Sequence, residues 1–99
     1  MNIQEILTQP GVSIVDVREP FEFEMGHIEG AKNIPLSTIP GRMEEFKSLA
    51  KPMILYCMSG NRSGQAVQYL EAQGCTNLHN GGGISSLGWM IDNLYVGKE

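Results

Sequence analysis

Met53-Ile54-Leu55-Tyr56-Cys57-Met58-Ser59-Gly60-Asn61-Arg62-Ser63 is the stretch on which the fold turns. Its first five residues are continuously apolar, the pattern of a central parallel strand covered on both faces. A polar turn, Met58-Ser59-Gly60-Asn61, comes next. A helix is then expected to begin near Arg62 or Ser63, with Ala66, Val67 and Leu70 on its apolar face and Gly74 ending it. Just upstream, Met43, Phe46, Leu49 and Ala50 describe an amphipathic helix over residues 41–50, stopped by Pro52. Further back, Ser13-Ile14-Val15-Asp16-Val17 is a β-branched run that reads as a buried strand, with Asp16 as its polar interruption.

The remaining segments fit around these. Ile3, Ile6 and Leu7 carry the spacing of a short helix that Pro10-Gly11 stops, and Pro20 suits the first turn of another, with Glu19 and Glu22 near its positive end. Gly26 and Gly30 keep that second helix short, and residues 31–36 hold one brief extended segment ending at Pro35. Downstream, residues 76–79 read as a weak strand, Gly81-Gly82-Gly83 as a turn, and residues 84–94 as a last helix carrying Trp89. Strands alternating with helices predict an α/β domain with a mostly parallel sheet of four to five strands flanked by helices.

Composition narrows the function. Ninety-nine residues suit one domain spanning 1–99, since single cores typically take about 100 to 150 residues. Seven basic against eleven acidic residues give a net charge of −4, the wrong sign for a general nucleic-acid binder. No signal-like start and no apolar run near the ~20 residues of a membrane span are present, so a cytoplasmic protein without membrane or nucleic-acid partners is expected. Cys57 and Cys75 are too few for a disulfide framework and lack metal-ligand spacing, so no metal site is expected. Between Lys51 and Glu71 the only charged side chain is Arg62. An anion arriving there meets one cation and no carboxylate from the segment itself.

Cys57 stands at the expected carboxyl end of the central strand, where open α/β sheets bind their ligands. The loop after it can converge its backbone N–H groups into a nest, and the following helix adds unsatisfied donors at its positive end. With Arg62, these would stabilise a thiolate, since a free cysteine titrates near ~8.5 and helix N-terminal cysteines well below that. Cys57 is thus the candidate nucleophile. The plain alternative is a small buried hydrophobe at a strand end. Cys75 follows Gly74 in a turn, and packing accounts for it.

Asp16-Val17-Arg18-Glu19, Gly26-His27-Ile28-Glu29-Gly30-Ala31-Lys32-Asn33-Ile34-Pro35, the Cys57–Ser63 loop, and Gly82-Gly83 followed by Trp89 together resemble a single-domain rhodanese, a sulfurtransferase. The resemblance implies a small rhodanese-like fold and a persulfide carried on Cys57. It also implies an anion- or persulfide-binding loop of Met58, Ser59, Gly60, Asn61 and Arg62, with Asp16, Arg18 and Ser63 as supporting candidates and no cofactor. Related phosphatases and arsenate reductases place five residues between cysteine and arginine, whereas four separate Cys57 from Arg62. A phosphatase or arsenate reductase is accordingly the weaker alternative, and a non-catalytic interaction module of the same fold is another. Thiosulfate specialists of the family often carry extra basic loop residues, which Met58, Ser59 and Asn61 do not supply.

The implied partners are a small-molecule or protein-bound sulfur donor and a thiol acceptor, served by a monomer or weak dimer. Other residues receive structural readings. Arg18 is expected in an ion pair, for example with a nearby glutamate, and His27 in a hydrogen bond to backbone. His79 has no constellation around it. Trp89 is expected in the core, Met58 at the entrance to the site, and the glutamates at 19, 22, 24 and 29 on a solvated helix face.

Overall fold

The computed structural model describes residues 2–94. The elements are α1 (Ile3–Leu7), β1 (Ser13–Asp16), α2 (Pro20–Met25), β2 (Lys32–Asn33), a 3₁₀ helix (Leu36–Arg42), α3 (Met43–Ser48), β3 (Met53–Cys57), α4 (Asn61–Ala72), β4 (Leu78–Gly83) and α5 (Ile84–Asn93). The four strands pair in the order β2-β1-β3-β4, every pair parallel.

All five residues of β3 are buried, as the unbroken apolar run demands of a strand with neighbours on both edges and cover on both faces. The two-residue alternation of a strand sorts its side chains between two cores. Met53, Leu55 and Cys57 join Val15, Phe46, Ala66 and Leu70 on the face covered by α3 and α4. Ile54 and Tyr56 join Ile6 and Leu87 on the face covered by α1 and α5. Cys57 is therefore placed on the α4 side by the same periodicity that buries its neighbours.

Three segments differ from expectation. The strand expected at 76–79 runs from Leu78 to Gly83 and absorbs the glycine triplet expected as a turn. Close approach explains this. A Cβ on Gly81 would lie 2.6 Å from Ile54 Cγ2, and one on Gly83 would lie 2.6 Å from the Met58 carbonyl oxygen. These glycines let β4 press against β3 and its loop, with an irregularity in register between Leu55 and Tyr56. Of the amphipathic segment at 41–50, residues 41 and 42 end a 3₁₀ helix that starts at Leu36 and contains Pro40, and α3 covers only Met43–Ser48, because Leu49 already turns extended with ψ 143°. Of the extended segment at 31–36, only Lys32 and Asn33 pair with β1.

Trp89 is also not in the core: it is 62% exposed. It lines a hollow of about 690 Å³ with Asn2, Ile3, Gln4, Ser85, Ser86 and Met90, between α1 and α5. No helix among the described residues is long and apolar enough to cross a membrane.

Candidate active site

Cys57 ends β3, and the chain must leave the sheet and start α4 within Met58, Ser59 and Gly60. Gly60 makes that possible. It adopts φ 97°, a left-handed conformation open to glycine with little strain, and forms the N-cap of α4. The helix begins at Asn61, one residue before the expected start, with Gly64 N–H donating to the Gly60 carbonyl at 3.0 Å.

The turn folds back over the sulfur. Gly60 N–H donates to Cys57 Sγ at 3.0 Å, Ser63 N–H reaches it at 3.4 Å, and Ser63 Oγ lies 3.4 Å away. Burial pushes the Cys57 thiol up, while the Ser63 hydroxyl and the N–H groups of Ser63, Ser59 and Gly60 pull it down, and the balance falls below the ordinary thiol value. These are the dipoles of a nest and of a helix N-terminus, acting on a sulfur with no exposed surface of its own. Met58 is 54% exposed beside it.

Ser63 has a second partner. Its Oγ lies 2.7 Å from Asn80 Oδ1 on β4, and an amide oxygen only accepts, so the hydroxyl proton serves that bond. Asn80 also accepts from Gly82 N–H at 2.9 Å and donates through Nδ2 to the Gly60 carbonyl at 3.1 Å, tying β4 to the cysteine loop. When Cys57 is a thiol, its proton can go to Ser63 Oγ and the serine proton to Asn80. When it is a thiolate, the serine proton can serve the sulfur only by leaving Asn80.

The Arg62 side chain directs its hydrogen bonds to a carboxylate and meets Cys57 only through its charge. Its Nη1 and Nη2 donate to Glu22 Oε1 and Oε2 at 2.7 and 3.1 Å. Glu22 in turn accepts from Glu19 N–H at 3.0 Å in a capping box at the start of α2, so it is no part of a solvated glutamate face. The Arg62 hydrogen bond, then the Glu19 N–H, hold the Glu22 carboxyl down at about 2.

Asp16 and Arg18 form a buried pair with each other, and no glutamate is involved. Arg18 Nε donates to both Asp16 oxygens at 3.0 Å and Nη2 to Oδ2 at 2.8 Å. The Arg18 Nη2 also donates to the Gly26 carbonyl at 2.7 Å, and Asn33 Nδ2 donates to the carbonyls of Asp16 and Arg18. The pair thus fixes the chain between β1 and β2. The pair makes no hydrogen bond to the cysteine loop, although Arg18 lies 5.8 Å from the ring centroid of Tyr56, the residue before Cys57. Tyr56 accepts from Ile28 N–H at 3.0 Å, and burial pushes its hydroxyl up to about 12, so it stays neutral. His27 bonds the Phe23 carbonyl through Nδ1 at 2.8 Å and stacks on the Phe23 ring, as a backbone-bonding histidine should. Among the described residues no cluster of three acidic, histidine or cysteine side chains is arranged to hold a metal ion.

Residues 2–87 match the rhodanese-like domain family. The chain belongs to that family. It is 49% identical over 79 residues to the uncharacterized protein YqhL of Bacillus subtilis, covering 79% of this chain and 62% of that protein. It is 34% identical to the thiosulfate sulfurtransferase PspE of Escherichia coli over 74% of this chain and 71% of the other. A solved rhodanese-like domain protein from Staphylococcus aureus is 40% identical and superposes with a TM-score of 0.64 over 84% of this chain and 80% of its own.

Within this rhodanese-like domain, the structure brings Cys57, Ser59, Gly60 and Ser63 together around one sulfur. Glu22 and Asn80 were missed in the sequence. Glu22 meets Arg62 across 40 positions and Asn80 meets Ser63 across 17, distances at which helical or strand periodicity carries no signal.

Proposed function

We propose that this chain is a sulfurtransferase that carries sulfane sulfur as a persulfide on Cys57. The observation that supports it most is the Cys57 sulfur, ringed by loop N–H groups at the carboxyl end of the central strand. The Cys57 thiolate attacks the outer sulfur of a donor such as thiosulfate, a polysulfide or a persulfide. The donor S–S bond breaks, and sulfite or a thiolate leaves with the bonding pair. An acceptor thiolate, or cyanide in an assay, then attacks the outer sulfur and restores the Cys57 thiolate. The N–H groups that now face Sγ stabilise negative charge as it passes to and from sulfur. No metal or organic cofactor enters the cycle.

The phosphatase alternative requires a free guanidinium for an oxyanion. Here the loop is one residue shorter, and the Arg62 guanidinium holds Glu22 at two points. An interaction module has no need of a nucleophile whose proton affinity is lowered.

Intact-mass measurement after incubation with a panel of sulfur donors tests the proposal. One added sulfur, removable by cyanide and mapped to Cys57, is expected, with none in Cys57→Ser. A persulfide on Cys75, or full transfer by Cys57→Ser, refutes it.

A further inference from the structure

Each arginine among the described residues is paired: Arg18 with Asp16, Arg42 with Glu45 and Arg62 with Glu22. Lys51, which is outside any ion pair here, precedes the far end of β3 and donates to the carbonyls of Phe46 and Leu49. Arg62, the arginine of the candidate nucleophile's loop, is therefore already paired with a carboxylate.

We propose that Glu22 is a specificity-determining residue, whose carboxylate cancels the charge of Arg62 beside the Cys57 loop and thereby disfavours dianionic donors. The favoured class is a sulfane-sulfur donor with at most one negative charge at the reacting group, such as a thiosulfonate monoanion or a protonated persulfide. This rests on the sulfurtransferase reading above. Arg62 immediately precedes Ser63, whose N–H and hydroxyl both meet the Cys57 sulfur. Both terminal nitrogens of its guanidinium are engaged by Glu22. The carboxylate is itself anchored, since Glu19 N–H holds Oε1 and the Glu22 side chain is only 16% exposed. It does not need to be drawn in by a donor, and a donor must compete with it.

Charge accounting makes the consequence specific. A thiolate meeting thiosulfate brings three negative charges together, with the Arg62 positive charge offset by Glu22. A thiosulfonate, R–SO₂–S⁻, presents the same sulfane sulfur with one charge fewer. The thiolate forms its bond to that outer sulfur, the S–S bond breaks, and the sulfinate leaves with the electron pair. With a protonated persulfide, R–S–SH, the thiolate R–S⁻ leaves and the proton stays on the sulfur transferred to Cys57. Exposed Met58 offers an apolar contact for the rest of such a donor.

The test compares kcat/KM for thiosulfate with that for methanethiosulfonate in wild type, Glu22→Gln, Arg62→Gln and the double variant. Glutamine can still accept from Glu19 N–H, so the capping box survives. The thiosulfate to methanethiosulfonate ratio should rise ~fivefold in Glu22→Gln, the effect of one unmasked charge in partly hydrated surroundings. It should fall below wild type in Arg62→Gln and return close to wild type in the double variant. The rise should shrink in high salt. An unchanged ratio in Glu22→Gln, or equal losses with both donors, overturns the role of Glu22 while leaving sulfur transfer standing. If Glu22→Gln folds poorly, a ratio in Arg62→Gln that fails to fall overturns it instead. Failure of the wild type to take sulfur from either donor removes the underlying sulfurtransferase reading.

Discussion

Replacing Ser63 with alanine separates the dipoles that hold the Cys57 sulfur. The substitution removes the hydroxyl 3.4 Å from Sγ and keeps the Ser63 N–H and the Gly60 N–H at 3.0 Å. A hydrogen bond to a charged group contributes about 1.5 to 3 kcal/mol. Sulfur at this distance sits at the low end, and the serine must also give up Asn80 Oδ1, 2.7 Å away, to reach it. About 1.4 kcal/mol remains, which raises the Cys57 pKa by ~1 unit. Thiolate reactivity increases with basicity at a slope of about 0.4 to 0.5, so the high-pH plateau against a small disulfide should rise ~threefold. On the low-pH limb the tenfold loss of thiolate outweighs that gain, and the rate should fall ~threefold. Stopped-flow release of an aromatic thiol from a disulfide probe, followed across pH, reads both limbs. Asn80→Ala should displace the midpoint in the opposite direction, because the serine proton is then free to face sulfur. A Ser63→Ala midpoint that stays in place, or two limbs that fall together, would refute the hydroxyl's part in holding the thiolate.

Gly83→Ala places a Cβ 2.6 Å from the Met58 carbonyl oxygen, a backbone atom that cannot swing aside. Its φ of −87° suits alanine, so the clash alone acts. A loss of about 1 to 3 kcal/mol in denaturant unfolding, with displacement of the cysteine loop and loss of sulfur transfer, is expected. The Arg62–Glu22 pair predicts an acid dependence. The folded Glu22 pKa is depressed to about 2 from an ordinary 4.5, so its contribution to stability is complete above the ordinary value and lost as pH falls to about 2. Thermal melting of wild type and Glu22→Gln should differ by a constant amount above that range and converge near its acid end. A gap that persists there shows that the carboxylate's charge is not the source of the difference.

Much of this architecture was legible because it is local. The apolar run Met53–Cys57, bounded by Pro52 and the glycine loop, has the length of a strand, and its buried place in the sheet follows from having no polar face to expose. Cys57, the glycine loop and the helix start are contiguous, so a sulfur ringed by N–H groups could be anticipated from chain order. The glycine triplet was misread because glycine marks a turn and a close backbone approach equally well in sequence. Only the contacts of Gly81 with Ile54 and of Gly83 with Met58 separate the two. Trp89 was misplaced for a related reason: helical spacing shows that residues share a face, while the cover on that face comes from another element. Here α1 leaves the indole in an open hollow.

The charge of the loop is where local reading and tertiary structure diverge most. An isolated arginine in an uncharged segment suggests an anion site. The fold instead brings Glu22 to that arginine from the start of a helix 40 positions away. What touches the Cys57 sulfur directly is a set of peptide dipoles and one hydroxyl, groups that carry no net charge. Their field falls off quickly, so it stabilises charge on the sulfur it touches while exerting little long-range pull on anions in solution. A site built this way gains little from a donor's total charge and much from how closely the donor's outer sulfur reaches the loop. Affinity for a donor then has to come from the remainder of the donor molecule, against Met58 and its surroundings. On the proposed reading, the groups that hold the Cys57 sulfur and the residue that selects its donor are therefore separable, and substitutions at Ser63 and at Glu22 should change different kinetic constants.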